Sequence, residues 1–286
     1  MNVIFSRKGF DSTAGGFPSL IFPDNTLFSI PIPSNPSHCD YSRLVFKYGE
    51  DPIQDILNQV TKKRVRSNGE RHECDYTQAT QGCHHDPMSM YLKGSKRLVI
   101  GPGKRWESQL RSHGISAGDI FLFYGWFRRV APTGGRWNYV RNAQDVHLIW
   151  SWMIVGSALR LDTQEDISTA LAAFPGLDAH PHLTNGWDAP NGVYVSQEHA
   201  LLPFFQRGCL TDLKCYQGRS KWRLPACFNQ PQAFSHLNSF SPSGGEVIVR
   251  YRGYGQEFVL DLDKVAAVGD REGILAFVHE IRNLGD

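Results

Sequence analysis

Two apolar runs constrain this chain more than any other feature. Residues 120–124, Ile120-Phe121-Leu122-Phe123-Tyr124, are apolar or aromatic throughout. Residues 146–161 are almost as apolar, with Trp150 and Trp152 flanking Ser151. A strand with one face in water alternates apolar and polar side chains, whereas a run apolar at every position belongs in the middle of a sheet. Neither run is long enough to cross a bilayer as a helix. The first is therefore read as a central strand and the second as one long or two short buried strands.

Shorter β runs surround them. Residues 3–5, 20–22, 27–30, 192–195, 246–252 and 257–262 read as strands, and 209–216 is a further candidate. Pro23-Asp24-Asn25-Thr26 makes a turn between two of them, and Gly253-Tyr254-Gly255 another. Helical spacing is confined to a few segments. Asp51-Pro52 opens one, with Ile53, Ile56, Leu57 and Val60 on a single face. Residues 106–112 make a short helix, Thr163 to Asp166 starts a third in capping-box style, and 274–281 close the chain. Strands outnumber helices and do not alternate with them as βαβ units would. The expected fold is α+β, a mixed but mostly antiparallel sheet curled toward a barrel, with a few flanking helices.

Composition narrows the function. The 286 residues are 41% hydrophobic, enough for a real core, and only 20% charged. A net charge of +2 is too small for binding nucleic acid by bulk electrostatics. Local patches remain, and residues 62–75, KKRVRSNGERHECD, read as a mobile basic loop suited to phosphate. The first residues lack the apolar core of a secretion signal, so the six irregularly spaced cysteines are expected as reduced thiols in the cytoplasm. Walker, dinucleotide, G-x-S-x-G and H-E-x-x-H patterns are absent, which argues against the commonest NTPases, dehydrogenases, serine hydrolases and metzincins.

The chemistry-bearing groups fall in several places. The first strand runs into Ser6, Arg7, Lys8, Asp11, Ser12 and Thr13, then Gly15-Gly16. A polar glycine-rich turn after a strand is either a ligand cradle or a connection whose backbone needs glycine. His72, Cys74, Cys83, His84, His85 and Asp86 supply zinc-type donors without paired C-x-x-C spacing. Within them His85-Asp86 can act as a general base or contribute one metal contact, or Asp86 can simply organise the turn at Pro87. His180-Pro181-His182 puts two imidazoles on one side of an extended chain, within reach of one ion. With no carboxylate at matched spacing, no metal ligands are assigned, and His182 is expected as a pocket contact. Trp222, in Ser220-Lys221-Trp222-Arg223, either stacks a base beside the phosphate-binding Arg219 or Arg223, or closes the edge of the core. Gln256-Glu257 opens a late strand, where a carboxylate can stabilise positive charge at a glycosidic carbon. This resembles the late-strand glutamate of ADP-ribosyltransferases, with Arg7 as the early-strand partner, but their Ser-Thr-Ser element has no match.

The opening SRKGFDSTAGGFPSLIFPDNTLFSIPIP resembles the N-terminal signature of the third nucleotide-modification-associated domain of phages and bacteria. HHDP, GDIFLFYGWFRR, HLIWSWMIVG, NGVYVS, SKWRLP and GQEFVLD follow in a similar order, so the resemblance spans residues 1–286 as one domain. The sequence departs at Asn25, where the family pattern has glycine. The resemblance implies a nucleotide or DNA substrate and a role in base hypermodification. It carries over Asp11, His85, Asp86 and Glu257 as catalytic candidates, and Arg7, Ser12, Gly15, Gly16, Asp119, His182, Ser220, Trp222 and Gln256 as substrate contacts. It implies no membrane and leaves any cofactor open. Gly118-Asp119 and the strand ending Ile154-Val155-Gly156-Ser157-Ala158 are also similar to the central hairpin of PUA-like barrels. That implies a rival function, a reader of modified nucleotides with Tyr124, Trp126 and Trp222 as its stacking cage. The paired acids and histidines favour the enzyme.

Overall fold

In the computed structural model both apolar runs are long central strands of one sheet. The structure describes residues 1–34, 39–79, 81–87, 97–184, 189–237, 239–250 and 257–285. Nine strands build the main sheet: β1 (Asn2–Arg7), β2 (Ser19–Ile21), β3 (Leu27–Phe28), β4 (Val99–Ile100), β5 (Ile120–Thr133), β6 (Arg136–Tyr139), β7 (Val146–Arg160), β8 (Gly192–Leu201) and β9 (Glu257–Asp261). Their spatial order is β4-β8-β7-β5-β1-β9, with β6 and β2 also on β5 and β3 on β2. Only the β1–β5 and β2–β5 pairings are parallel. The result is a mixed, mostly antiparallel sheet curled into a half-barrel, with five α-helices among the described residues, the expected α+β class.

Side-chain alternation explains why the central strands are apolar throughout. Ile4, Phe121, Phe123 and Val259 point to one face and join a core with α1 (Ile53–Thr61) and Leu110 of α2 (Lys104–Ser112). Val3, Phe5, Leu122, Tyr124, Phe258 and Leu260 point to the other, against α5 (Val268–Asn283). A three-stranded sheet, Lys221–Pro225, Glu246–Arg250 and Phe240–Ser243, adds Trp222 to that second core. With both faces covered, no position on these strands is left for water to reward a polar residue. Among the described residues no helix is long and apolar enough to cross a membrane.

Several local expectations are corrected. Residues 62–75 hold a β-hairpin, Arg64–Ser67 with Glu70–Glu73, in place of a loop. Its turn is Asn68-Gly69, both at positive φ, a strong hairpin signal. Residues 209–216 form only isolated bridges at Cys209 and Thr211, not a strand. Glu246–Arg250 and β9 join different sheets and do not pair as a hairpin. The intervening turn and Gln256 lie outside the described residues. His180-Pro181-His182 is not extended: Leu177–Ala179 is a 3₁₀ turn leading into the short helix α4 (Pro181–Thr184), which follows α3 (Gln164–Ala173). At Asn25 the backbone has φ of 72°, a left-handed conformation that asparagine tolerates better than other non-glycine residues.

Candidate functional site

The same alternation that builds the core distributes the polar residues at the end of β1. Ser6 follows Ile4 on the face of the first core, and Lys8 continues that side, whereas Arg7 follows Phe5 to the other. Ser6 pairs in register with Glu257, the first residue of β9. Glu257 is fully buried; Ser6 Oγ donates to its Oε1 at 3.2 Å, and Lys8 Nζ lies 3.7 Å from the same oxygen. Oε2 has no hydrogen-bond partner among the described residues. Burial pushes the Glu257 carboxyl up from its ordinary value, opposed by Lys8 and Ser6.

The second carboxylate beside Lys8 is Asp86. It lies two residues beyond the short strand Cys83–His84, which pairs with Ile32–Pro33. The Gly101 N–H donates to Asp86 Oδ2 at 2.6 Å, and His84 Nε2 lies 3.4 Å from that oxygen. Oδ1 is buried with no hydrogen bond among the described residues. Burial opposes ionisation of Asp86, but the charge of Lys8 and the nearby His84 and His180 outweigh it and hold the carboxyl below the usual range. Both carboxylates share Lys8, and they differ in that Asp86 also has His84 and the Gly101 N–H beside it, whereas Glu257 has Ser6.

His182 completes the group. His84, Asp86 and His182 present donor atoms all within 4.8 Å of one another. His182 is fixed from behind by Asn191, whose Nδ2 donates to the His182 carbonyl at 2.9 Å, so its Oδ1 faces His182 Nδ1, also at 2.9 Å. That contact sets the Nδ1–H tautomer and leaves the lone pair on Nε2. Asn191 is held in turn: its N–H donates to Asp162 Oδ1, and Arg111 bridges Asp162 and the Asn191 carbonyl. Burial lowers His182 to about 4 and pushes His180 well down, so both imidazoles are neutral near pH 7. The partly exposed members of the group are Lys8 and His84.

Other expected residues lie elsewhere. Arg7 pairs with Asp11 at 3.1 Å, beside Arg219 and on the side of His147. Asp11 Oδ1 also accepts from Thr13 N, Thr13 Oγ1 and Ala14 N, each at 2.7 Å, so this carboxylate organises its own turn. Ser12 is exposed and offers its carbonyl to Arg66. Gly15 exchanges backbone hydrogen bonds with Arg66, and a Cβ on it would sit 2.1 Å from the Phe10 ring. Gly16 also has positive φ and lies against Arg66. This glycine turn is knitted to the 64–73 hairpin, away from Glu257. Asp119 is at the opposite end of β1, where it accepts from Asn2 N at 2.7 Å and Ser116 N at 3.0 Å.

Trp222 is fully buried, donates Nε1–H to His147 Nδ1 at 2.9 Å, and packs edge-on to Tyr124 at 5.1 Å. Neither ring has a face for a base, which corrects the stacking-cage expectation for these two residues; Trp126, the third, is half-buried with Arg219 over its ring at 4.2 Å. Ser220 is half-buried in the turn before them. His85 is buried beside Cys39 and His180. The six-residue cysteine and histidine cluster divides as well. Cys83 sits 3.9 Å from Cys39, Cys74 is buried elsewhere with its thiol pushed up to about 12, and His72 is exposed on the hairpin.

Sequence reasoning placed Ser6 and Lys8 in the polar run after the first strand without giving them a role, and it missed Gly101 and Asn191. The signal for the first two was present, because counting by twos from Ile4 puts Ser6 and Lys8 together and opposite Arg7. Nothing local marks Gly101 or Asn191, which matter through distant partners. No match was found among curated proteins or among solved structures. A family model described as nucleotide modification associated domain 3 matches residues 2–261, nearly the whole chain, and the chain belongs to that family.

Proposed function

We propose that this protein is an enzyme of a phage or bacterial DNA hypermodification system. Its substrate is a nucleotide or a DNA base, on which it transfers or removes a group at the base or glycosidic position. The family description supports the nucleotide side of this reading. The observation that carries the catalytic side is Glu257: a fully buried carboxylate, held by Ser6 and Lys8, with its second oxygen unpartnered among the described residues. Burying such an oxygen costs free energy, so it is tolerated where it has a use.

In this scheme Glu257 takes a proton or stabilises positive charge developing at the glycosidic carbon. Lys8 holds its orientation and compensates its charge. Arg7 and Arg219, on the adjoining side of β1, bind substrate phosphate. Asp86, already engaged by Gly101 and His84, positions the second wall and does not carry the proton. The small net charge favours a free nucleotide or a flipped base over tight sequence-independent binding of duplex DNA.

The test is incubation of the protein with nucleotide pools, plain DNA and modified DNA, followed by mass spectrometry of the nucleosides. A new or lost nucleoside that depends on Glu257 is expected. Unchanged nucleosides, together with selective retention of modified DNA, would replace the enzyme with a reader.

A further inference from the structure

We propose that His84, Asp86 and His182 form a binding site for a divalent first-row transition-metal ion. They come from two distant segments: His84 and Asp86 from the end of the strand Cys83–His84 and just beyond it, and His182 from α4. Even so, their donor atoms gather within 4.8 Å. Two donors each about 2.1 Å from one ion stand about 3.0–3.4 Å apart in octahedral or tetrahedral geometry. The observed separation of His84 Nε2 and Asp86 Oδ2 is 3.4 Å.

Three further features fit an ion. Asp86 Oδ1 is buried without a hydrogen bond among the described residues, and an ion would satisfy that carboxylate. Asn191 orients His182 through Nδ1, the supporting contact that metal-binding histidines commonly have. Gly101 makes room for the ring: a Cβ there would lie 2.4 Å from His182 Cγ and Cδ2. Two imidazoles and one carboxylate suit zinc or ferrous iron, not magnesium or calcium, which prefer oxygen. Three protein ligands also leave coordination positions for water or a substrate atom. The site does not depend on Glu257 acting in catalysis, so the two proposals can fail separately.

The experiment uses the full chain stripped with chelator, then titrated with Zn²⁺, with Fe²⁺ under anaerobic conditions, and with Mg²⁺, with bound metal counted by elemental mass spectrometry. One Zn²⁺ or Fe²⁺ per chain is expected, with no stoichiometric Mg²⁺. Asp86→Asn and His182→Gln should each weaken binding at least about tenfold, the scale on which even supporting contacts act. Cys39→Ser and Glu257→Gln should leave it unchanged. The Co²⁺ spectrum of the wild-type protein needs no variant to fold, and it should show nitrogen and oxygen ligation without a thiolate charge-transfer band. A thiolate band, loss of metal in Cys39→Ser, full binding in both ligand variants, or no stoichiometric binding would each overturn the proposal. None of these readouts uses nucleoside turnover.

Discussion

Glu257→Gln separates a catalytic carboxylate from a structural one. The wild-type side chain is fully buried, accepts from Ser6 at 3.2 Å and faces Lys8 at 3.7 Å. Unit charges at that distance attract by about 4 kcal/mol at an effective dielectric constant near 20. Burial outweighs that attraction, because the Glu257 carboxyl is nonetheless pushed up from its ordinary value. The surroundings as a whole therefore favour the charge less than water does. Glutamine keeps the shape and an oxygen for Ser6 while removing the charge. Its stability should stay within about 1 kcal/mol of wild type in urea unfolding, whereas Glu257→Ala should lose about 1–3 kcal/mol by leaving the buried Ser6 hydroxyl without its acceptor. Turnover in the nucleoside assay should fall roughly 10²–10⁴-fold, the usual contribution of a positioned acid or base. A folded Glu257→Gln protein with wild-type turnover would refute the catalytic role. A loss of about 3–5 kcal/mol would instead mark the carboxylate as half of a structural ion pair, the cost typical of breaking one.

Gly101→Ala must move the His182 ring by about 1 Å to relieve its 2.4 Å contact; a loss of about 1–3 kcal/mol by thermal melting is expected. Weaker metal binding should accompany it, and wild-type metal affinity in a folded variant would contradict the role given to the glycine. Asp212 governs a pH effect away from the site. Burial opposes its ionisation, but Arg223 at 2.7 Å and Lys221 at 3.1 Å outweigh it and hold the carboxyl down from 3.8 to about 2. A carboxyl lower in the folded protein than in the unfolded chain contributes stability that is present above about pH 4 and lost as pH falls through 2. That amounts to about 2 kcal/mol. Asp212→Asn should flatten the acid limb of a stability–pH curve from urea unfolding, and an unchanged slope between pH 4 and 2 would contradict the assignment. Trp222→Phe removes the donor to His147 and part of a sealed core packing. It should cost about 2–4 kcal/mol in urea unfolding without weakening nucleotide or DNA binding by the folded fraction. Weaker binding by the folded fraction would show that the ring meets substrate after all.

The parts of this fold legible in the sequence are those decided by local pattern. Residues 120–124 could be placed at the centre of a sheet because both faces of that strand had to be dry, and α1 because Ile53, Ile56, Leu57 and Val60 share a face. Pairing across the chain was not legible in this way. Residues 257–261 follow the turn-forming sequence Gly253-Tyr254-Gly255 and, before it, a strand-like run, which is the local signature of a hairpin. Their partner is instead β1, more than 250 residues upstream, because register with Val3, Ile4 and Phe5 completes both cores at once. The 64–73 hairpin is the opposite case: Asn68-Gly69 marks it, but the density of lysine and arginine suggested a loop. Charge density reports on solvent exposure, and an exposed hairpin is as compatible with it as a loop is.

The candidate site follows the same division, and this bears on how the polar turn after β1 works. Read as one patch, Arg7, Asp11 and Ser12 should face His85-Asp86 and Glu257 across one cleft. Alternation along β1 sends Arg7 to the side opposite Ser6 and Lys8. Ser6 and Lys8 therefore reach toward the two buried carboxylates, while Arg7 pairs with Asp11. The glycines anchor the turn to the hairpin through Arg66. The division has a chemical consequence. Lys8 is the cation shared by Asp86 and Glu257, and the more distant charge of Arg7 adds to its effect on Glu257. In the proposed scheme a substrate phosphate would have to compete with Asp11 for Arg7, while Arg219 lies over the Trp126 ring. A substrate with a phosphate at one end and a reacting base or glycosidic bond at the other would lie across the end of β1, its phosphate on the arginine side and its reacting end toward Glu257.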